Sequence, residues 1–98
     1  MKLIWSPLSL KKGDHYADYI ARDNIDAALV FIDEVEEVAL SLKDHPLKGR
    51  MIPALNDEMK RELIIKGDNQ LRYEINDHIM EVLTIRHAKQ NPKKSENH

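Results

Sequence analysis

The chain has 98 residues, 42% of them apolar and 33% charged, with a formal net charge of -2 and a pI near 6.2. That length supports one domain around one core and leaves no room for a separate substrate domain, and the charge balance excludes a strongly basic nucleic-acid binder. The absence of cysteine excludes disulfides and thiolate metal sites and suits a reducing cytosol.

No apolar run approaches the ~20 residues of a membrane-spanning helix. The opening Met1-Lys2-Leu3-Ile4-Trp5 is too short for a secretory signal. A cytoplasmic protein without membrane contact is expected. Charge is unevenly placed: acids crowd Asp14 to Asp44, whereas Arg61, Lys66, Arg72, Arg86, Lys89, Lys93 and Lys94 gather in the C-terminal half.

Lys2 to Trp5 reads as a short strand. Ser6-Pro7 is a helix start, because the serine oxygen accepts from an early helical N–H and proline at the first position has no N–H to orphan. A helix is predicted from Pro7 to Arg22, with Ser9, Tyr16, Tyr19 and Ile20 partly on one face and Gly13 weakening its middle. Asp23-Asn24 turns the chain, and Asn24 caps a second helix whose Ile25, Ala28, Ile32, Val35, Ala39 and Leu42 recur at helical spacing. On that spacing Ile32→Asp is expected to unfold the domain. Leu29, Phe31 and Val38 widen the apolar face, so the helix should pack on both the first helix and a sheet. The short connection makes the pair an antiparallel hairpin.

His45-Pro46 ends the second helix, and residues 46–53 read as irregular loop. Arg61, Leu63 and Ile65 then alternate with Glu62, Ile64 and Lys66 as a strand, which Gly67-Asp68-Asn69 turns. Leu71, Tyr73 and Ile75 alternate with Gln70, Arg72 and Glu74 in the next strand. After the turn Asn76-Asp77-His78, Ile79 to Ile85 is a third, with Leu83 and Ile85 facing the core. Residues 91–98 are polar and contain Pro92, a loose tail. The expectation is an α+β domain over 1–90 in the order β-α-α-β-β-β, with the helical hairpin packed on a small, twisted, mostly antiparallel sheet.

Several segments carry a family resemblance: Trp5-Ser6-Pro7, Asp18-Tyr19-Ile20-Ala21-Arg22-Asp23-Asn24 with Ala27-Ala28, Pro46-Leu47-Lys48-Gly49-Arg50, Arg61-Glu62-Leu63, and Ile85-Arg86-His87-Ala88-Lys89-Gln90. In this order they resemble the RelE/ParE toxins of type II toxin-antitoxin systems, whose topology is the same. The hairpin signature and the Pro-x-x-Gly-Arg loop are similar to the ParE branch. The chain also departs from the pattern. Asn69 and Gln70 stand where the family often carries Tyr and Arg, Gly13 stands where the first helix usually buries a leucine, and Lys89-Gln90 replaces a terminal Arg-Arg.

Two activities are implied by that resemblance. A RelE-like ribosome-dependent mRNA endoribonuclease, acting on ribosome-bound message, would need cationic and acid-base side chains converging on one phosphate, with Arg61, Arg72, Arg86 and His87 as the candidates. A ParE-like toxin would inhibit DNA gyrase by protein–protein contact, with no catalytic residues, and Arg86, His87, Lys89 and Gln90 would be the target-binding candidates. The missing arginine at Gln70 and the acid at Glu74 favour the ParE-like reading. A third possibility is a non-toxic relative that only binds its antitoxin and acts in autoregulation.

In every case the resemblance implies a cognate antitoxin, and Leu29, Phe31 and Val38 are candidates for its contact. The same three side chains would equally serve to fill the core, and truncating Phe31 separates the two roles. No cofactor is implied, and no sequence-specific DNA binding without the antitoxin. The histidines His15, His45, His78, His87 and His98 show no ligand spacing, so a metal site is not expected.

Overall fold

A computed structural model describes residues 1–65 and 69–87, the last by its backbone alone. Strand β1 (Lys2–Trp5) leads into helix α1 (Pro7–Ala21) and helix α2 (Ile25–Asp44); strands β2 (Arg50–Met51), β3 (Lys60–Ile65), β4 (Asn69–Asn76) and β5 (Ile79–His87) follow. The five strands form one sheet in the order β1-β5-β4-β3-β2, with β1 parallel to β5 and the other pairs antiparallel. The expected α+β order is found, with β2 as an addition: Arg50 and Met51, read as loop, pair with Glu62 and Arg61 of β3.

The turn from β1 into α1 forms as its sequence requires. Ser6 Oγ accepts from the Ser9 amide at 3.0 Å and donates to the Leu83 carbonyl of β5 at 2.9 Å. One buried hydroxyl therefore caps the helix and ties it to the sheet. Asn24 caps α2 in the same manner, its Oδ1 accepting from Ala27 N at 3.0 Å. Asp77, in the two-residue loop between paired Asn76 and Ile79, has φ 53°, a conformation that aspartate tolerates.

Both helices cover one face of the sheet, α1 against β5 and α2 against β1 and β3, and they also pack on each other. The core comprises Tyr16, Ala17, Phe31, Val35, Ala39, Leu42, Ile65, Leu71, Tyr73, Met80, Val82 and Ile85. On α1, Ala17 rather than Tyr19 continues the buried face, and Gly13 lies within an unbroken helix.

Two sequence expectations are corrected here. The buried stripe of α2 runs through Ala28, Phe31, Val35, Ala39 and Leu42, leaving Ile25 68% and Ile32 40% exposed. Ile32→Asp, expected from spacing to unfold the domain, should instead keep a cooperative melt and cost no more than about 1 kcal/mol, as partly exposed sites do. Thermal denaturation followed by circular dichroism checks this, and loss of the transition would put Ile32 back in the core.

The second correction concerns Leu83. A register shift sets Arg72 opposite Thr84 and Tyr73 opposite Val82, so Leu83 is an extra residue in β5. This bulge changes the phase of the strand. Met80, Val82 and Ile85 face the helices, and Leu83 does not join the core.

Candidate functional site

The sheet face away from the helices carries the charged residues. Its strand register aligns Arg50 of β2, Glu62 of β3, Arg72 of β4 and Thr84 of β5 in one cross-strand row. The neighbouring row is Ile64, Gln70 and Arg86. At the centre lies Glu62, 3% exposed. Its Oε2 accepts from Arg50 Nε at 2.9 Å and Nη2 at 2.6 Å, and its Oε1 accepts from Arg72 Nε at 3.1 Å. Burial by itself would raise the Glu62 pKa. Hydrogen bonds and positive charge from Arg50 and Arg72 outweigh it and hold the carboxyl below its ordinary value.

Arg61 belongs elsewhere. Its guanidinium donates to the carbonyls of Gly49 at 2.8 Å and Glu58 at 2.9 Å. Beside it, buried Tyr73 donates its hydroxyl to the Pro46 carbonyl at 2.6 Å and accepts from the Gly49 amide at 3.0 Å. Burial raises the Tyr73 pKa, against the opposing effects of the Gly49 amide and Arg61. The neutral phenol therefore contributes stability that is full below its unfolded pKa and lost as pH rises through the higher folded one. Residues 46–50 are thus held by Tyr73 and Arg61 on one side and by Glu62 on the other.

The proposed ribonuclease set does not converge. Arg61 binds backbone carbonyls and Arg72 binds Glu62, while Arg86 is exposed and makes no side-chain bond or ion pair among the described residues. The His87 side chain, Lys89 and Gln90 lie outside the described residues. Of the antitoxin candidates, Phe31 is 4% exposed in the core and Val38 packs against the core; Leu29, 55% exposed, presents open surface.

The Arg50–Glu62 pair is not legible in the sequence, because residues 46–53 carry no strand periodicity and the two side chains meet only through the β2–β3 register. Ile25 and Ile32, expected on the packed face, instead join Leu29 and Leu40 on an exposed apolar strip of α2. That strip was legible as a second helical recurrence beside the first.

With this geometry in place, comparison with known proteins is decisive at the level of family. The sequence matches the family described as "ParE toxin of type II toxin-antitoxin system, parDE" over residues 3–92.

The chain belongs to the ParE toxin family.

Solved structures agree on the fold. A chain from the chromosomal ParDE toxin-antitoxin system of P. aeruginosa superposes with a TM-score of 0.73 at 18% identity, covering 89% of this chain and 95% of that one. A conserved hypothetical protein from Helicobacter pylori gives a TM-score of 0.54 at 20% identity, covering 91% and 96%. No curated protein sequence matches the chain. Membership of the ParE family gives the chain a toxin role within a toxin-antitoxin system. In this ParE toxin two of the segments that carried the resemblance meet in space, Arg50 on Glu62 and Arg61 on Gly49, and Pro46 and Gly49 are both bonded to Tyr73.

Proposed function

We propose that this ParE toxin arrests growth by inhibiting DNA gyrase through protein–protein contact in the cytoplasm, and that a cognate antitoxin neutralises it. The observation that supports contact over catalysis is Glu62. A buried carboxylate between Arg50 and Arg72 occupies the cationic centre of the open sheet face, where a phosphate undergoing cleavage would need uncompensated positive charge. Contact inhibition needs no such centre. The open-face cation without an internal partner among the described residues, Arg86, is a fitting anchor for a protein target, since arginine is enriched at interface hot spots.

The test sets two reactions side by side: gyrase with relaxed plasmid and ATP, and translating ribosomes with a defined mRNA. Blocked supercoiling with intact message is the expected result. Message cut in phase with codons and unaffected supercoiling would replace this reading with the RelE-like one. In the gyrase assay Arg86→Ala should raise the inhibitory concentration by about tenfold, the scale of one lost interface arginine. Its melting temperature should change little, as at other exposed sites. Undiminished inhibition by the variant would remove Arg86 from the target surface.

A further inference from the structure

The open sheet face is electrically two-ended. Its cross-strand rows set Arg86, and then Arg50 and Arg72, towards one end, and Glu74 opposite Glu81 towards the other. At the cationic end Glu62 accepts from Arg50 Nε and Nη2 and from Arg72 Nε. Arg50 Nη1 and both Nη groups of Arg72 are left without a bond among the described residues. Two arginines share one buried counter-charge, so their row stays cationic, and the bonds to Glu62 fix how both guanidinium groups are presented. Arg86 adds a third, exposed and unpaired among the described residues.

One row further along the strands, a step of about 7 Å, Glu74 and Glu81 stand directly opposite each other. Neither has a hydrogen bond or ion pair among the described residues. Lys60, next to Glu74 in that row, is engaged by Asp57 at 3.8 Å. Like charges directly opposite across two strands destabilise a sheet, and this fold bonds no cation to them among the described residues.

We propose that this face docks one short protein segment of the target, with carboxylates over Arg50, Arg72 and Arg86 and a lysine or arginine over Glu74 and Glu81. This rests on the reading above, that the target is a protein held by contact, and adds the chemistry of the part that is gripped. Guanidinium groups take carboxylates in a two-pronged fork, and the unbonded Nη groups are the ones such a fork uses. The opposite charges of the segment lie about 7–13 Å apart, one to two rows of the sheet. A nucleic-acid backbone fits poorly, because it is negative along its whole length. Any strand spanning the three arginines would pass within a Debye length, about 8 Å, of Glu74 and Glu81. The repulsion between those two acids is relieved by a cation that the target brings, so the pair selects for the right partner.

The experiment measures gyrase supercoiling against wild type, Glu81→Lys and Glu74→Lys, with the melting temperature of each. Either substitution turns the like-charge pair into an opposite-charge pair, so each variant should melt at or above the wild-type temperature. Each should nevertheless raise the inhibitory concentration about tenfold, a difference that shrinks as salt is added. Either variant serves where the other fails to fold. Undiminished inhibition by the folded variants would overturn the two-ended site and leave the gyrase reading standing. No inhibition by wild type would overturn the gyrase reading, and the site with it. Two control measurements complete the test. Labelled single-stranded RNA bound by wild type at physiological salt and released by Arg86→Ala would give the face to a polynucleotide. A wild-type dimer in sedimentation that Glu81→Lys dissociates would give it to a second copy of the chain. Either result would overturn the proposal.

Discussion

Gly49→Ala is expected to destabilise the protein by about 3 kcal/mol, through overpacking and the disturbance of buried hydrogen bonds. A Cβ at this position would lie 2.6 Å from the Tyr73 hydroxyl, 2.9 Å from Tyr73 Cε1 and 2.7 Å from the Glu62 carbonyl oxygen. Two of those atoms belong to a core ring and the third to the backbone of β3, so no flexible chain end can yield. The loop must lift away, which stretches the Gly49–Tyr73 and Tyr73–Pro46 hydrogen bonds and the Arg61 bond to the Gly49 carbonyl. For a domain of this size the loss corresponds to a fall in Tm of roughly 12–24 °C. Denaturant unfolding measures it. Adding Tyr73→Phe should recover only part of the loss, because the backbone clash with Glu62 remains. A cost below about 1 kcal/mol for Gly49→Ala would mean that the loop is not seated on the sheet as described.

Glu62→Gln should lower stability by about 2 kcal/mol at neutral pH. Breaking a fully buried ion pair costs about 3–5 kcal/mol, and the smaller figure allows for solvent screening of Arg50, whose side chain is 65% exposed. Arg72 is the partner left in difficulty, with its side chain 27% exposed and its Nε directed at the lost carboxylate. The pH dependence distinguishes charge from shape. The folded pKa of Glu62 lies below the ordinary 4.5. Its carboxylate therefore contributes stability that is fully present above that pH and is lost as pH falls through the depressed folded value. The gap between wild type and Glu62→Gln should consequently close in acid. An undiminished gap at pH 3 would show that the ion pairs do not carry it.

Much of the fold was legible because it is governed by local chemistry. Ser6-Pro7 and Asn24 announce their helices, since a capping oxygen and a missing N–H act within one turn. The alternation in Gln70 to Ile75 marks its strand and, with it, which side chains face the helices. Phase was harder to read. Apolar residues cover so much of α2 that two adjacent stripes satisfy the same helical spacing, and the burial of Phe31 rather than Ile32 is decided by what the sheet and α1 present to that helix. Leu83 was misassigned for a related reason, because a bulge is a property of two paired strands and leaves no mark in either one.

The charged face shows the same division. Its cations were visible as residues, but their employment was not: Arg50, Glu62 and Arg72 are separated in the chain by loops and a hairpin and meet only through register. What the sequence by itself determined is the order of the elements other than β2, the helix starts and the residue types available on each strand, all of which follow from interactions reaching only a few residues along the chain. Tertiary structure alone decided that Glu62 neutralises the centre of the open face and that Tyr73 and Arg61 hold Gly49. Each of these depends on groups distant in sequence being brought within a few ångströms, where burial and hydrogen bonding set their roles.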